Sequence, residues 1–198
     1  MYYNGVVKKA KGGAAVNPYE KCPVYETEHF HLRLVKLKDA ADLLECYKHP
    51  TSAVQGSAAN CYVGPGGYGS QKKRDMRKFI RMWLDEYRNR EFVRWSVIGR
   101  QSGLAVGSIE MFCDPSLLPG CRGGVLRIDL IAFYETELYV AELLRLVVDE
   151  FYTLFDADVI TTNGHPEAEI RLRAIAAAGF VPIEWPGREN YYGRKAAP

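Results

Sequence analysis

Residues 124–153 read GVLRIDLIAFYETELYVAELLRLVVDEFYT, and the fold turns on this stretch. Its first part, 124–132, is an apolar run with Arg127 and Asp129 at alternate positions, which predicts a strand. From about 137 to 153 the period changes. Val140, Leu143, Leu144, Val147, Val148 and Phe151 now recur at helical spacing and give the helix one wide apolar face. A short strand follows at 157–162. Residues 167–178 then predict a helix that ends at Gly179, a residue suited to a left-handed cap. Phe180–Glu184 reads as another strand, and Asn190–Arg194 as a last edge strand.

Upstream, residues 92–99 and 104–113 predict two strands joined through Gln101–Gly103. Residues 72–89 predict a helix, with Met76, Phe79, Ile80, Trp83, Leu84 and Tyr87 at helical spacing. Residues 30–37 alternate Phe30, Leu32 and Leu34 against His31, Arg33 and Val35, as a strand does. A short helix at 40–48 follows, capped by Asp39 and closed before Pro50. Residues 51–71, rich in Gly, Ser, Ala and Tyr, form a long loop. The order β-α-α-β-β-β-α-β-α-β implies an α/β domain with a mixed sheet and helices on its faces. Residues 1–25 read as an arm and 26–198 as one domain, with no internal repeat and no linker.

Composition excludes several classes. The chain has 198 residues, 47% hydrophobic and 25% charged, the balance of a globular protein rather than a disordered or fibrous one. The net charge of +2 gives no case for nucleic-acid or membrane binding. The absence of an apolar run of signal or spanning length points to the cytoplasm. The five cysteines, Cys22, Cys46, Cys61, Cys113 and Cys121, fit no paired zinc spacing and read as reduced thiols. Cys46 and His49 alone do not make a metal site, so no metal is expected.

Local motifs add a family resemblance. Tyr25-Glu26-Thr27-Glu28-His29-Phe30-His31-Leu32-Arg33 resembles the opening ETERLxLR of the RimJ/RimL-like branch of the GNAT N-acetyltransferases. Asp39-Ala40-Ala41-Asp42-Leu43 resembles that branch's DAxxL helix start. Gly107-Ser108-Ile109 resembles its xxGxI strand, and Ala178-Gly179-Phe180 its C-terminal xGF. The resemblance covers about residues 24–185. It implies a single GNAT-like domain with a mixed, largely antiparallel central sheet and helices on both faces. It also implies acetyl transfer from acetyl-CoA to a primary amine, either a protein N-terminus or a small amine. A homodimer is compatible with it.

The chain departs from the family pattern at three places. The family's turn before its third helix carries (Q/R)-x-x-G-x-(G/A), whose amides cradle a pyrophosphate at a helix N-terminus. Here the stretch is Tyr134-Glu135-Thr136-Glu137-Leu138-Tyr139, with Thr136 and Leu138 at the glycine positions. Glu135 and Glu137 at a helix start stabilise the helix and repel a pyrophosphate. Ala168 and Arg171 stand where the family often has Asn and Ser, and Ile175 where many members have Tyr. A GNAT-fold module that binds another acyl donor, ligand or protein partner is therefore the alternative reading.

Acetyl transfer needs a base for the amine proton and backbone N–H donors for the thioester carbonyl. The resemblance places the donors at Leu130, Ile131 and Ala132, and the coenzyme loop at Thr136, Glu137, Leu138 and Tyr139. Asp129 is the first choice for the base and Glu110 the second. Ser108 and Glu110 share one strand face, Arg127 and Asp129 another, so a cross-strand ion ladder is the structural alternative for both acids. Gly64-Pro65-Gly66-Gly67-Tyr68-Gly69 matches GxGxxG, but it lies between helices rather than after a strand, and reads as a loop over the acceptor groove. Lys72, Lys73 and Arg74 read as a solvated helix start. His165, Tyr62, Tyr68 and Tyr134 are weaker candidates for chemistry or acceptor binding.

Overall fold

The computed structural model describes residues 8–9, 17–48, 72–118, 120–185 and 187–197. The run Gly64–Gly69, with Tyr62, Tyr68, Cys61 and His49, lies outside the described residues. The strands are β1 (Lys8–Lys9), β2 (Tyr25–Glu26), β3 (Phe30–Leu34), β4 (Val93–Gly99), β5 (Ala105–Leu118), β6 (Cys121–Leu130), β7 (Val159–Asn163), β8 (Val181–Pro182) and β9 (Tyr191–Lys195). The helices are α1 (Ala40–Lys48), α2 (Lys73–Arg88), α3 (Glu137–Phe155) and α4 (Glu169–Ala177). The strands form one sheet in the order β1-β2-β3-β4-β5-β6-β7-β9-β8. Every described pairing is antiparallel except that of β6 with β7. This is the mixed sheet the element order implied, and largely antiparallel as the family resemblance implied.

Alternation along the strands builds two cores. Phe30 and Leu32, Val93, Trp95 and Val97, Ile109 and Met111, and Leu126, Ile128 and Leu130 lie on one face. They pack against Val140, Leu143, Leu144, Val147 and Phe151 of α3 and Ala174 and Ile175 of α4. Trp95 stacks on Phe151 with ring centroids 5.0 Å apart. On the other face, Val35 and Ala105 pack with Leu43 and Leu44 of α1 and Met76, Ile80 and Trp83 of α2. The helical stripes read from the sequence are the faces that cover the sheet.

Four features differ from the sequence reading. The β5–β6 ribbon runs on to Leu118 and restarts at Cys121, well past the expected strand ends, with Gly120 at φ 76° in its turn. The last strand, β9, is not an edge. It lies between β7 and β8, and the short β8 is outermost. Asp39 does not cap α1. It ends a 3-10 turn, and its carboxylate accepts the Lys36 N–H. Within the stretch read as an arm, Tyr19 and Cys22 pack against the main core and Lys8–Lys9 pairs with β2.

Asp39 illustrates how the α1 face handles charge. It accepts both arms of the Arg33 guanidinium, at 2.8 and 2.7 Å, and the Ser96 hydroxyl at 2.7 Å. Burial pushes its carboxyl up, but the hydrogen bonds from Arg33, Ser96 and the Lys36 amide outweigh this and hold it below the ordinary value. An acid whose pKa is depressed by folding adds stability above its unfolded value, near 3.9. That contribution is lost as the pH falls through the lower folded value. Asp39→Asn should therefore cost about 2 kcal/mol near neutral pH, and the gap to the parent should close below about pH 4. Urea melts of both proteins across that range test this, and a gap independent of pH would refute it.

Close packing also constrains the backbone between β5 and β6. A Cβ on Gly107 would lie 2.0 Å from the Asp129 carbonyl oxygen. Gly107→Ala should force the strands apart at Asp129 and lower the urea midpoint by the equivalent of about 1–3 kcal/mol. An unchanged midpoint would show that the strands yield freely there.

Candidate functional site

The candidate site lies at β6–β7, the one parallel pairing among the described strands. β6 pairs with β7 from Gly123 opposite Val159 to Leu126 opposite Thr162. The pairing stops at Leu126, while β6 continues to Leu130, so the last residues of β6 have no β7 partner and their outer edge forms the candidate cleft. Backbone groups on a strand alternate in direction. Ile131 donates its N–H to Val106 O at 2.9 Å, so the neighbouring Leu130 N–H faces the other way, into the cleft. The carbonyls of Gly124 and Ile128 face the same side. Gly124 O accepts the Thr161 hydroxyl at 3.0 Å, and Ile128 O accepts Arg171 Nη1 at 2.8 Å. Of the three residues expected to donate, Leu130 points its amide into the cleft. The Ile131 amide is used by β5, and Ala132 opens a 3-10 turn.

The loop residues separate in the structure. Thr136 is the N-cap of α3 and accepts the Tyr139 N–H at 3.4 Å. Glu137 points outward to Arg173, 3.0 Å away, and Leu138 is exposed. Tyr139 packs on His29 and Phe30, away from the cleft. Glu135 does not share the helix start with Glu137 as the sequence implied. It ends the preceding 3-10 turn and faces inward, 4% exposed. Its two oxygens meet Arg171 Nε at 2.7 Å and Nη2 at 2.8 Å. Burial pushes the Glu135 carboxyl above its ordinary value; the Arg171 charge and hydrogen bonds oppose that rise, and Asp129 adds to it. On this edge of β6 the Leu130 N–H faces the cleft, whereas Arg171 occupies the Ile128 carbonyl.

The second part of the site lies on the α1 side of β4, β5 and β6. Arg94, Ser96, Ser108, Glu110 and Asp129 are all buried there. Arg94 donates to Glu110 through Nε at 3.0 Å and also through Nη2. Its Nη1 donates to the Tyr47 hydroxyl at 2.8 Å and to Ser108 Oγ at 3.1 Å, and lies 3.7 Å from Asp129 Oδ2. Tyr47 donates to Asp129 Oδ2 at 2.9 Å. Arg127 donates to the other Glu110 oxygen. Trp83 lies under the Arg94 guanidinium, 4.1 Å from its carbon.

The structure therefore joins Asp129 and Glu110 in one network through Arg94. Both Glu110 oxygens are held by arginines, whereas Asp129 sits at the end of the chain, beside the cleft residue Leu130. The buried thiol of Cys46 lies within electrostatic reach of Asp129 and Glu135, and burial pushes it well above the ordinary range. His165 stands apart, accepting the Glu167 N–H at 3.3 Å. Among the described residues, no group of three or more His, Cys, Asp or Glu is placed to hold a metal. None of the described helices is long and apolar enough to cross a membrane. Sequence reasoning missed Arg94, Tyr47 and the Arg171–Glu135 pair. Arg94 alternates with Val93 and Trp95, and that alternation was its only signal.

A sheet of this order, opened between a parallel pair and flanked by two helices on each face, is the fold of the GNAT N-acetyltransferases. Solved structures bear this out across most of the chain. Ribosomal-protein-S5-alanine acetyltransferase from Vibrio fischeri superposes with a TM-score of 0.65 at 12% identity, over 87% of this chain and 96% of its own. A putative ribosomal-protein-serine acetyltransferase from Vibrio cholerae matches with a TM-score of 0.61 at 14% identity, over 86% and 95%. Spermidine N-acetyltransferase from Vibrio cholerae, solved with CoA and spermine, gives 0.61 at 11% identity, over 85% and 96%. No family model matches the sequence, and a search of the curated proteins found no match.

Proposed function

We propose that the protein is a GNAT-type N-acyltransferase that moves an acetyl group from acetyl-CoA to a primary amine, either a small amine or a protein N-terminus. The observation that carries this reading is the cleft between β6 and β7, with the Leu130 N–H facing into it and Asp129 beside it. Acetyl-CoA would supply the activated acyl group. Leu130 would hold the thioester carbonyl oxygen by its amide. Asp129 takes the proton of the attacking ammonium, directly or through the Tyr47 hydroxyl that bonds to it. Glu110 is the positioning residue: with both oxygens on arginines, it fixes Arg94 against Tyr47 and Ser108. Thr136 and the first turn of α3 border the mouth of the cleft.

A second reading has one observation in its favour. The Arg171–Glu135 pair lies in the cleft, as it would in a module of this fold that leaves coenzyme A unbound. Calorimetry with coenzyme A and acetyl-CoA, followed by thiol-release assays against a panel of amines, separates the two. Micromolar binding with turnover of an amine is the expected result. No binding at millimolar coenzyme would overturn the acetyl-CoA reading in favour of the second.

A further inference from the structure

The Arg171–Glu135 pair crosses the mouth of the cleft. Arg171 comes from α4 and Glu135 from the turn between β6 and α3, and both are buried. Their two parallel bonds form the fork that a guanidinium makes equally well with a carboxylate or a phosphate. The third arm of Arg171 holds Ile128 O on the opened edge of β6. The turn that presents Glu135 is anchored by Tyr134, which packs on Phe30 and the main core, while its Phe133 is 76% exposed. An outward swing is therefore one of the Glu135 side chain, with Tyr134 staying in the core. Removing a carboxylate and a guanidinium from water is costly, and a buried pair of this kind gains little over its separated, solvated parts. Such a pair is suited to exchange.

We propose that the pair is an exchangeable plug: a ligand carrying a diphosphate enters the cleft by taking the Arg171 guanidinium from Glu135, which turns out to solvent. No bond is made or broken, and the arginine keeps two anionic oxygens throughout. The inference rests on the reading of the cleft as a donor site and deepens it. It assigns Arg171 to the donor's anion and makes Glu135 the competitor for that position.

The test is calorimetry on the full chain with coenzyme A and with pantetheine, which lacks the diphosphate. Glu135→Gln should bind coenzyme A about tenfold tighter than the parent or better, because its amide competes less well for the guanidinium. Pantetheine affinity should not change, and the gain should vanish in the double variant Glu135→Gln/Arg171→Gln. Glu135→Asp, one methylene shorter and still charged, should move in the same direction. It serves as the second probe if Glu135→Gln fails to give a native near-ultraviolet circular dichroism spectrum. Equal coenzyme A affinity in parent and variants would overturn the plug and leave the donor cleft standing. An equal gain for pantetheine would overturn the anion exchange. No coenzyme A binding in any of the four proteins would overturn both the plug and the donor reading.

Discussion

Replacing Arg94 with methionine is expected to lower the free energy of unfolding by about 3–5 kcal/mol. The side chain is fully buried and joins four polar groups: Glu110, Tyr47, Ser108 and, at 3.7 Å, Asp129. Methionine fills much of the space under α1 and α2 but strips Glu110 of one of its two arginines. What dominates the loss is the buried charge left behind, rather than the contacts removed. Arg94→Lys should fall between parent and methionine variant, since an ammonium keeps the charge but cannot make the fork or lie flat on Trp83 as the guanidinium does. The double variant Arg94→Met/Glu110→Leu should recover part of the loss, because it removes both members of the pair. Urea unfolding of the four proteins measures these steps. A loss under about 1 kcal/mol for Arg94→Met would mean that water reaches the network and pairs the stranded acid.

The largest effect on activity is expected at Asp129. Asp129→Asn keeps the shape and an oxygen that can accept from Tyr47, but it removes the proton acceptor. The turnover number for amine acetylation should fall about 100–10,000-fold. Coenzyme A affinity should stay within a few-fold of the parent, since the side chain faces the α1 side rather than the cleft. Amines of lower basicity arrive already deprotonated, so they should lose less from the substitution than strongly basic ones. That dependence separates a base from a residue that merely shapes the strand. Retention of most of the turnover number across the amine series would remove Asp129 from the reaction.

The features that were legible in the sequence are those written into a period. The stripe from Val140 to Phe151 gave α3, and the switch of period after Ala132 gave the strand–helix junction. The motifs around Tyr25–Arg33 and Ala178–Phe180 carried the resemblance that implied a mixed, largely antiparallel sheet. The ends of β5 and β6 were hidden because Pro115, Pro119 and Gly120 read as breakers, although the ribbon continues past Asp114 with a register shift. The polar network was half visible. Alternation grouped Ser108 with Glu110 on one strand and Arg127 with Asp129 on the next, and a cross-strand ion pair with Arg127 was the structural alternative. That α1 and α2 would seal this face could not be read from the strands themselves, because Arg94 and Ser96 look like solvent positions. Arg171 and Glu135 belong to different elements, and no spacing rule connects them. Only the return of β7 to the side of β6 brings them together.

The seam that opens the cleft also sets an order of assembly. The β5–β6 ribbon closes through a turn of a few residues, so its loop entropy is small and its pairing is local. The β6–β7 pairing must wait until the chain from Leu130 to Val159 has wound through α3 and returned. Contacts of that separation form late and slowly. Its four residue pairs then tie the β1–β6 part of the sheet to the part formed by β7, β9 and β8. The region that offers a ligand its open backbone edge is thus knitted after the local β5–β6 ribbon.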